Sequence, residues 1–276
     1  MEFVKMHGNG NDFIVIEDLT NEYIGRESSL AKELCDRNFG IGADGILLVR
    51  KSETADIKMD IINSDGSYAS MCGNGVRCFA KYIWDKEIIK KSVITVETGD
   101  GVKTAYLTTE NDEVKSVKIY MGTPEFTPSL IPALYDEEII NKTILVNSKN
   151  YNITTMLLGV PHTVIMGSLD TFDVEEGKYI ENDTMFPQRT NVNFCEILDR
   201  DNVKVKTWER GAGATLACGT GTCASVVAAN KLGYVSEAVN AKLPGGYLFI
   251  EIKDDGVYMT GPAVTVFEGR YISSMK

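Results

Sequence analysis

Basic residues are the minority in this chain: 28 Lys and Arg stand against 39 Asp and Glu, a formal net charge of −11. Nucleic acid and anionic membrane surfaces both require a basic footprint and are excluded as principal partners. No stretch approaches the ~18 to 20 consecutive apolar residues of a membrane span. The opening Met1-Glu2-Phe3-Val4-Lys5 has no basic segment leading into an apolar core, so the expectation is a cytoplasmic protein. Cysteine is sparse: Cys35, Cys72, Cys78, Cys195, Cys218 and Cys223 are too few for a disulfide scaffold and are expected as thiols in a reducing compartment. Low-complexity segments are missing. The chain does have 43% hydrophobic residues in 276, enough for a substantial core, and a length that favours two domains.

Short runs rich in β-branched residues and bounded by turn signals predict strands at Phe13–Glu17, Ile46–Val49, Ile57–Ile62, Val93–Thr98, Val117–Met121, Thr163–Met166, Val192–Ile197, Val203–Trp208 and Leu248–Ile252. Helical patterns are fewer: Ser29–Asn38, Asn74–Lys86, Asp173–Glu181 and Thr220–Leu232. This is a sheet-rich α+β pattern with two principal helices. Three prolines between Gly122 and Pro132 predict a linker there.

Two segments repeat one another. Met71-Cys72-Gly73-Asn74-Gly75 and Ala217-Cys218-Gly219-Thr220-Gly221 share the pattern x-Cys-Gly-x-Gly, and each opens a predicted helix. At the same offset, Ile46–Val49 corresponds to Val192–Cys195 and Asn63 to Glu209, while Gly10–Val15 faces Val160–Ile165. The chain reads as a duplicated domain, packed as a pseudo-two-fold pair with the equivalent helix starts facing one cleft.

The first N–H groups of a helix have no intrahelical partner, and the dipole adds roughly half a positive charge. Each Cys-Gly-x-Gly turn is therefore an anion seat whose cysteine is favoured as thiolate. Two such thiols flanking one carboxylate suit stereoinversion at the adjacent carbon, one removing the α-proton while the other delivers a proton to the opposite face. The α-proton of an amino acid is far less acidic than a thiol, so the carbanion needs N–H donors preorganised around the carboxylate in a dry site. Pyridoxal phosphate is the usual electron sink for such chemistry, but no phosphate-cradling loop with a plausible Schiff-base lysine is evident.

Gly8-Asn9-Gly10-Asn11-Asp12-Phe13, Gly40-Ile41-Gly42-Ala43-Asp44-Gly45, Asn63-Ser64-Asp65-Gly66-Ser67, Cys72-Gly73-Asn74-Gly75-Val76-Arg77-Cys78, Pro161-His162, and Glu209-Arg210-Gly211-Ala212-Gly213 followed by Ala217–Gly221 resemble, in this order, the motifs of the diaminopimelate epimerase family. The resemblance spans nearly the whole chain. It implies an α+β fold of two pseudo-symmetric domains, each a mixed sheet around a central helix, with the active site in the cleft between them. It also implies conversion of LL-2,6-diaminopimelate to the meso form, without cofactor or metal, in lysine and peptidoglycan precursor synthesis. Carried over by residue, Cys72 and Cys218 are the acid/base pair, and Gly73, Asn74, Gly219 and Thr220 supply N–H groups to the reacting carboxylate. Asn11, Asn63, Asn191, Glu209 and Arg210 fall on substrate-binding positions, with Glu209 and His162 also beside the reacting centre. Gly45 stands where many members have Gln, and Val160 where many have Asn. The expected domains are residues 1–120, with a C-terminal strand 264–276 packing back on them, and residues 121–263. The family and the apolar strand Val264–Tyr271 together suggest a homodimer.

Other readings exist for the same residues. Gly219-Thr220-Gly221-Thr222-Cys223-Ala224 fits the dinucleotide fingerprint, but it follows the loop 211–216 rather than a strand, and its counterpart ends in Cys78. Cys72, Cys78, Cys218 and Cys223 could be imagined as a zinc cluster, but the second cysteine of each pair lies about a turn and a half along its helix. Another cofactor-independent racemase, of histidine or proline type, and a non-catalytic ligand-binding or redox module are the alternatives.

Overall fold

The computed structural model describes residues 1–272. It divides into two compact units: Met1–Ile119 together with the described residues from Gly261 onward, and Tyr120–Thr260. Among the described residues, no helix is long and apolar enough to cross a membrane.

The first unit runs β1 (Glu2–Gly8), β2 (Asn11–Glu17), α1 (Glu27–Cys35), β3 (Gly45–Arg50), β4 (Ile57–Asn63), β5 (Tyr68–Ala69), α2 (Gly73–Asp85), β6 (Val93–Thr98), β7 (Gly101–Glu110) and β8 (Glu113–Gly122). β3, Gly-Ile-Leu-Leu-Val-Arg, is buried along its whole length because it lies between β2 and β4 with a helix on each face. Ile46 and Leu48 pack with Ala31, Leu34 and Cys35 of α1 on one face, while Leu47 on the other meets Gly75 of α2. A strand covered on both faces loses the polar–apolar alternation of a half-exposed one.

The second unit runs β9 (Lys142–Val146), β10 (Lys149–Leu158), β11 (Val160–Met166), a 3₁₀ turn (Val174–Glu176) leading into α3 (Gly177–Glu181), β12 (Asn191–Asp199), β13 (Asn202–Glu209), β14 (Gly213–Thr215), α4 (Gly219–Lys231), β15 (Ala238–Leu243), β16 (Gly246–Lys253) and β17 (Gly256–Gly261). Finally β18 (Val264–Arg270) pairs antiparallel with β1 in the first unit. Residues 273–276 of the expected C-terminal strand lie outside the described residues.

Both units carry the same topology. β2 pairs parallel with β3 as β11 does with β12. β3–β4 and β12–β13 are antiparallel, and the next pairs, β4–β6 and β13–β15, are parallel again. β18 lies on β1 as β9 lies on β10. In each unit the central helix packs on the strands of this mixed sheet, α2 on β1 to β4 and β7, and α4 on β10 to β13, β15 and β16. The α+β class with a duplicated sheet-and-helix domain is thus the observed one. Registers refine the internal alignment: Phe13 faces Gly45 and His162 faces Asn191, so Phe13 is the counterpart of His162, one residue away from the alignment of Gly10 with Val160.

α4 is buried almost all round. Its Gly, Ala, Ser, Thr and Cys residues are small enough for strands to pack on several sides, and a helix lacking a polar face belongs inside a core. Two sequence expectations are corrected. α1 ends at Cys35 rather than near Asn38, because the Asp36 backbone turns extended and its carboxylate accepts from the N–H groups of Asn38 and Phe39. The segment 122–132 is not a linker: Glu125 pairs with Leu157, and Ile131 is buried in the second unit's core.

Candidate active site

In the first unit Cys72 is the N-cap of α2, with extended backbone (φ −147°, ψ 114°). Its Sγ accepts the Gly75 N–H at 3.5 Å, and its thiol donates to Asn11 Oδ1, also at 3.5 Å. One sulfur thus has a donor that favours thiolate and an acceptor that suits the thiol, a combination fit for a group that must exist in both forms. Asn74 Nδ2 donates to the same Asn11 oxygen at 3.2 Å, while Asn11 Nδ2 donates to Asp44 Oδ2 at 2.8 Å. Because a carboxylate only accepts, Asp44 fixes which end of the Asn11 amide faces Cys72.

Asp44 is itself braced. Arg37 Nη2 bridges Asp44 Oδ1 and Asp12 Oδ1, each at 2.8 Å, and Lys5 Nζ lies 2.6 Å from Asp12 Oδ2. Burial opposes ionisation of Asp12, but the hydrogen bonds from Arg37 and Lys5 hold its carboxyl down to about 2. Asp12 and Asp44 each stand in a glycine-rich motif with Arg37 between them in the chain, and that spacing is the sequence signal for this cluster. Asn63, at the end of β4, donates through Nδ2 to Ser67 Oγ at 3.0 Å and not to Asn11 or Cys72. Gly45, opposite Asn63, has no room for a side chain: a Cβ would sit 2.7 Å from the Ile62 carbonyl oxygen.

In the second unit Cys218 is the N-cap of α4, again extended (φ −116°, ψ 109°), with Sγ 3.6 Å from Thr220 Oγ1. Thr222 and Ser225 turn their hydroxyls back onto the carbonyls of Cys218 and Gly221, so the hydroxyls of this turn are satisfied within the helix. The N–H groups that no upstream helical carbonyl can take remain its anion-binding feature. Glu209 ends β13 and accepts from Thr215 Oγ1 at 2.6 Å.

Asn191 brings Arg210 to the start of β11: its Oδ1 accepts the Arg210 N–H at 2.8 Å, and its Nδ2 donates to Pro161 O at 3.1 Å. Arg210 Nη1 donates to Gln188 O. Glu181, which no sequence motif singles out, is a buried carboxylate that accepts from Trp208 Nε1 at 2.7 Å and Gly211 N at 3.1 Å and so brackets the Glu209-Arg210 pair. Its two hydrogen-bond donors lie 27 and 30 residues away, and Arg189 Nη1 stands 3.6 Å from its Oε1. His162 is fully buried, and burial first, the Arg210 charge second, push the imidazole from 6.5 down to about 3. It is neutral at physiological pH. Of the other four thiols, burial pushes Cys35, Cys78 and Cys195 up to about 12, which leaves them protonated.

The profile of the family described as diaminopimelate epimerase matches residues 3–127 and 154–266. The chain belongs to this family. The match takes in both cysteine-capped helices and leaves out the stretch that carries β9. Curated relatives agree along the full length. The diaminopimelate epimerase of Clostridium perfringens (strain 13 / Type A) is 59% identical over 272 residues, 99% of this chain and 100% of the relative. That of Alkaliphilus metalliredigens (strain QYMF) is 45% identical over 281 residues, 100% and 99%. The crystal structure of a probable proline racemase from Agrobacterium radiobacter K84 superposes with a TM-score of 0.70 over 98% of this chain and 92% of that one. At 12% identity it is similar in fold alone. Members of the family are isomerases by name, and this chain carries cysteine as the capping residue of the central helix in each of its units.

Proposed function

We propose that the protein epimerises LL-2,6-diaminopimelate to the meso form without a cofactor, with Cys72 and Cys218 as the acid/base pair. The observation that carries this reading is the repeated one: at the same topological position in two units, a cysteine caps a glycine-rich helix start. One unit alone supplies one acid or base, and inversion at carbon needs two. In one direction the thiolate of one cysteine takes the α-proton and the thiol of the other returns a proton to the opposite face; the reverse reaction exchanges their roles. The helix N–H groups at Gly73, Asn74, Gly219 and Thr220 stabilise charge that develops on the substrate carboxylate. His162 stays neutral beside the centre and adds no charge to compete for the proton. Glu209, Asn11 and Asn63 receive the ammonium groups, and Arg210, placed by Asn191, forks the distal carboxylate.

A site that pairs with the distal carboxylate and ammonium rejects amino acids lacking them, because its own polar groups would be stranded. With purified protein and no added cofactor in deuterated water, label is expected at the α-carbon of LL- and meso-diaminopimelate, and at least about 100-fold more slowly in lysine, histidine or proline. Arg210→Met is expected to remove the diaminopimelate activity. Comparable exchange for a simple amino acid would move the assignment to a general racemase.

The same reading places the protein in the cytoplasm, in lysine and cell-wall precursor synthesis, as a homodimer. Support for the dimer comes from β18, which exposes Val264, Val266 and Phe267 beyond what isolated surface apolar residues require. Light scattering at micromolar concentration should give twice the chain mass, and Val266→Lys with Phe267→Lys should halve it. A monomer in the unmodified protein would refute the assignment.

A further inference from the structure

Beneath α4 in the second unit lies a row of three polar side chains on neighbouring strands: His162 of β11, Asn193 of β12 and Thr207 of β13, all buried. Thr207 Oγ1 donates to Asn193 Oδ1 at 3.0 Å. Asn193 Nδ2 lies 3.3 Å from His162 Nδ1 and 3.4 Å from the Thr163 carbonyl oxygen. That carbonyl can only accept, so it holds the NH₂ end of the amide towards the ring. The nitrogen His162 turns to Asn193 must then be the unprotonated one. The ring's single hydrogen sits on Nε2, which is buried and has no hydrogen-bond partner among the described residues.

The first unit supplies the control. Phe13 and His162 hold the same register position, opposite Gly45 and Asn191. Leu47 pairs with Ile61 as Asn193 pairs with Thr207. A Cβ on Gly75 would meet Leu47 at 3.4 Å, and one on Gly221 would fall on Asn193 Oδ1. Where one unit has Phe13, Leu47 and Ile61, the other has His162, Asn193 and Thr207. The apolar trio fills the space under a cysteine-capped helix, so packing does not call for the polar one. Burying three polar groups where apolar ones serve costs stability unless every partner is placed.

We propose that Asn193 is a positioning residue that holds His162 in the Nε2–H tautomer, so that the ring meets the reacting centre as a neutral donor. The use of the ring rests on the epimerase reading; the tautomer does not. The chain has two histidines, His7 and His162, so ¹⁵N spectra of protein labelled at histidine resolve the question, with His7→Gln to assign the signals. The unmodified protein is expected to show His162 as the Nε2–H form alone between pH 8 and about 5. Asn193→Leu, which copies Leu47, should give both tautomers and lower kcat by at least about tenfold with little change in KM. Asn193→Asp should move the ring hydrogen to Nδ1 or charge the ring. Nδ1–H in the unmodified protein, or an unchanged tautomer in Asn193→Leu or Asn193→Asp, would overturn the proposal, and the first of these needs no variant to fold. Failure to turn over diaminopimelate while the spectra behave as expected would count against the epimerase reading instead.

Discussion

Alanine at Cys72 or at Cys218 is expected to lower epimerisation of diaminopimelate by at least about 1,000-fold, within the range that a lost general acid or base removes. The fold should survive both changes. Each cysteine sits at an N-cap whose helix is held by its burial; Cys218 makes no side-chain cap hydrogen bond, and losing the Cys72 cap costs about 1 kcal/mol at most. The effect should therefore appear in kcat with the far-ultraviolet circular dichroism unchanged. A sharper outcome separates the two roles. The remaining thiol can still take the α-proton of one epimer and return solvent hydrogen to the same face, so solvent label enters one isomer without inversion. The isomer that keeps exchanging in each variant identifies the face each cysteine serves. Near-normal turnover by either variant would end the two-thiol mechanism.

Arg50→Met is expected to destabilise the first unit by about 3 to 5 kcal/mol at neutral pH, the cost of leaving buried charges uncompensated. Arg50, at the end of β3, donates from Nε to Asp18 at 2.8 Å, from Nη1 to Asp60 at 2.7 Å and from Nη2 to Glu27 at 2.9 Å. It joins β3, β4 and the start of α1. Burial works to raise the Glu27 carboxyl, but its own backbone N–H and the Arg50 guanidinium hold it below the usual range. A carboxyl depressed in the folded state contributes stability that is present above its unfolded pKa and lost as pH falls through the folded one. In the unmodified protein that part of the stability should fade below about pH 4. In Arg50→Met the acid slope should be shallower, because the guanidinium's share of the lowering of Glu27 is gone while the backbone N–H remains. Urea unfolding at pH 7 and pH 3.5 checks both statements, and a loss under about 1 kcal/mol at pH 7 would show the carboxylates to be hydrated without Arg50.

The two cysteine motifs were legible in the sequence because their determinants are local. A Cys-Gly-x-Gly turn followed by a helical pattern specifies a helix start, and a helix start specifies outward N–H groups whatever surrounds it. Strands such as β3 and β6 were legible for the same reason, as continuous or alternating apolar runs between turns. The duplication followed from these local pieces at constant offset.

Other features belong to the tertiary structure. β7 buries chiefly Ala105 and Leu107, and β10 buries Thr154 and Thr155 among its apolar residues. Neither shows a strong hydrophobic period, and both exist as strands because a neighbour completes their backbone hydrogen bonds. The packing of 122–132 into the second unit and the return of β18 to β1 are pairings over long sequence separations, which no local preference encodes. The orientation of the site depends on the same kind of contact: Asp44 on Asn11 across 33 residues, Glu181 on Trp208 across 27, Asn193 on His162 across 31. The sequence by itself determined which residues could do the chemistry. Only the tertiary structure decided which amide end, which carboxylate and which ring nitrogen each presents, because those choices are made by hydrogen-bond partners that meet only when the sheet forms.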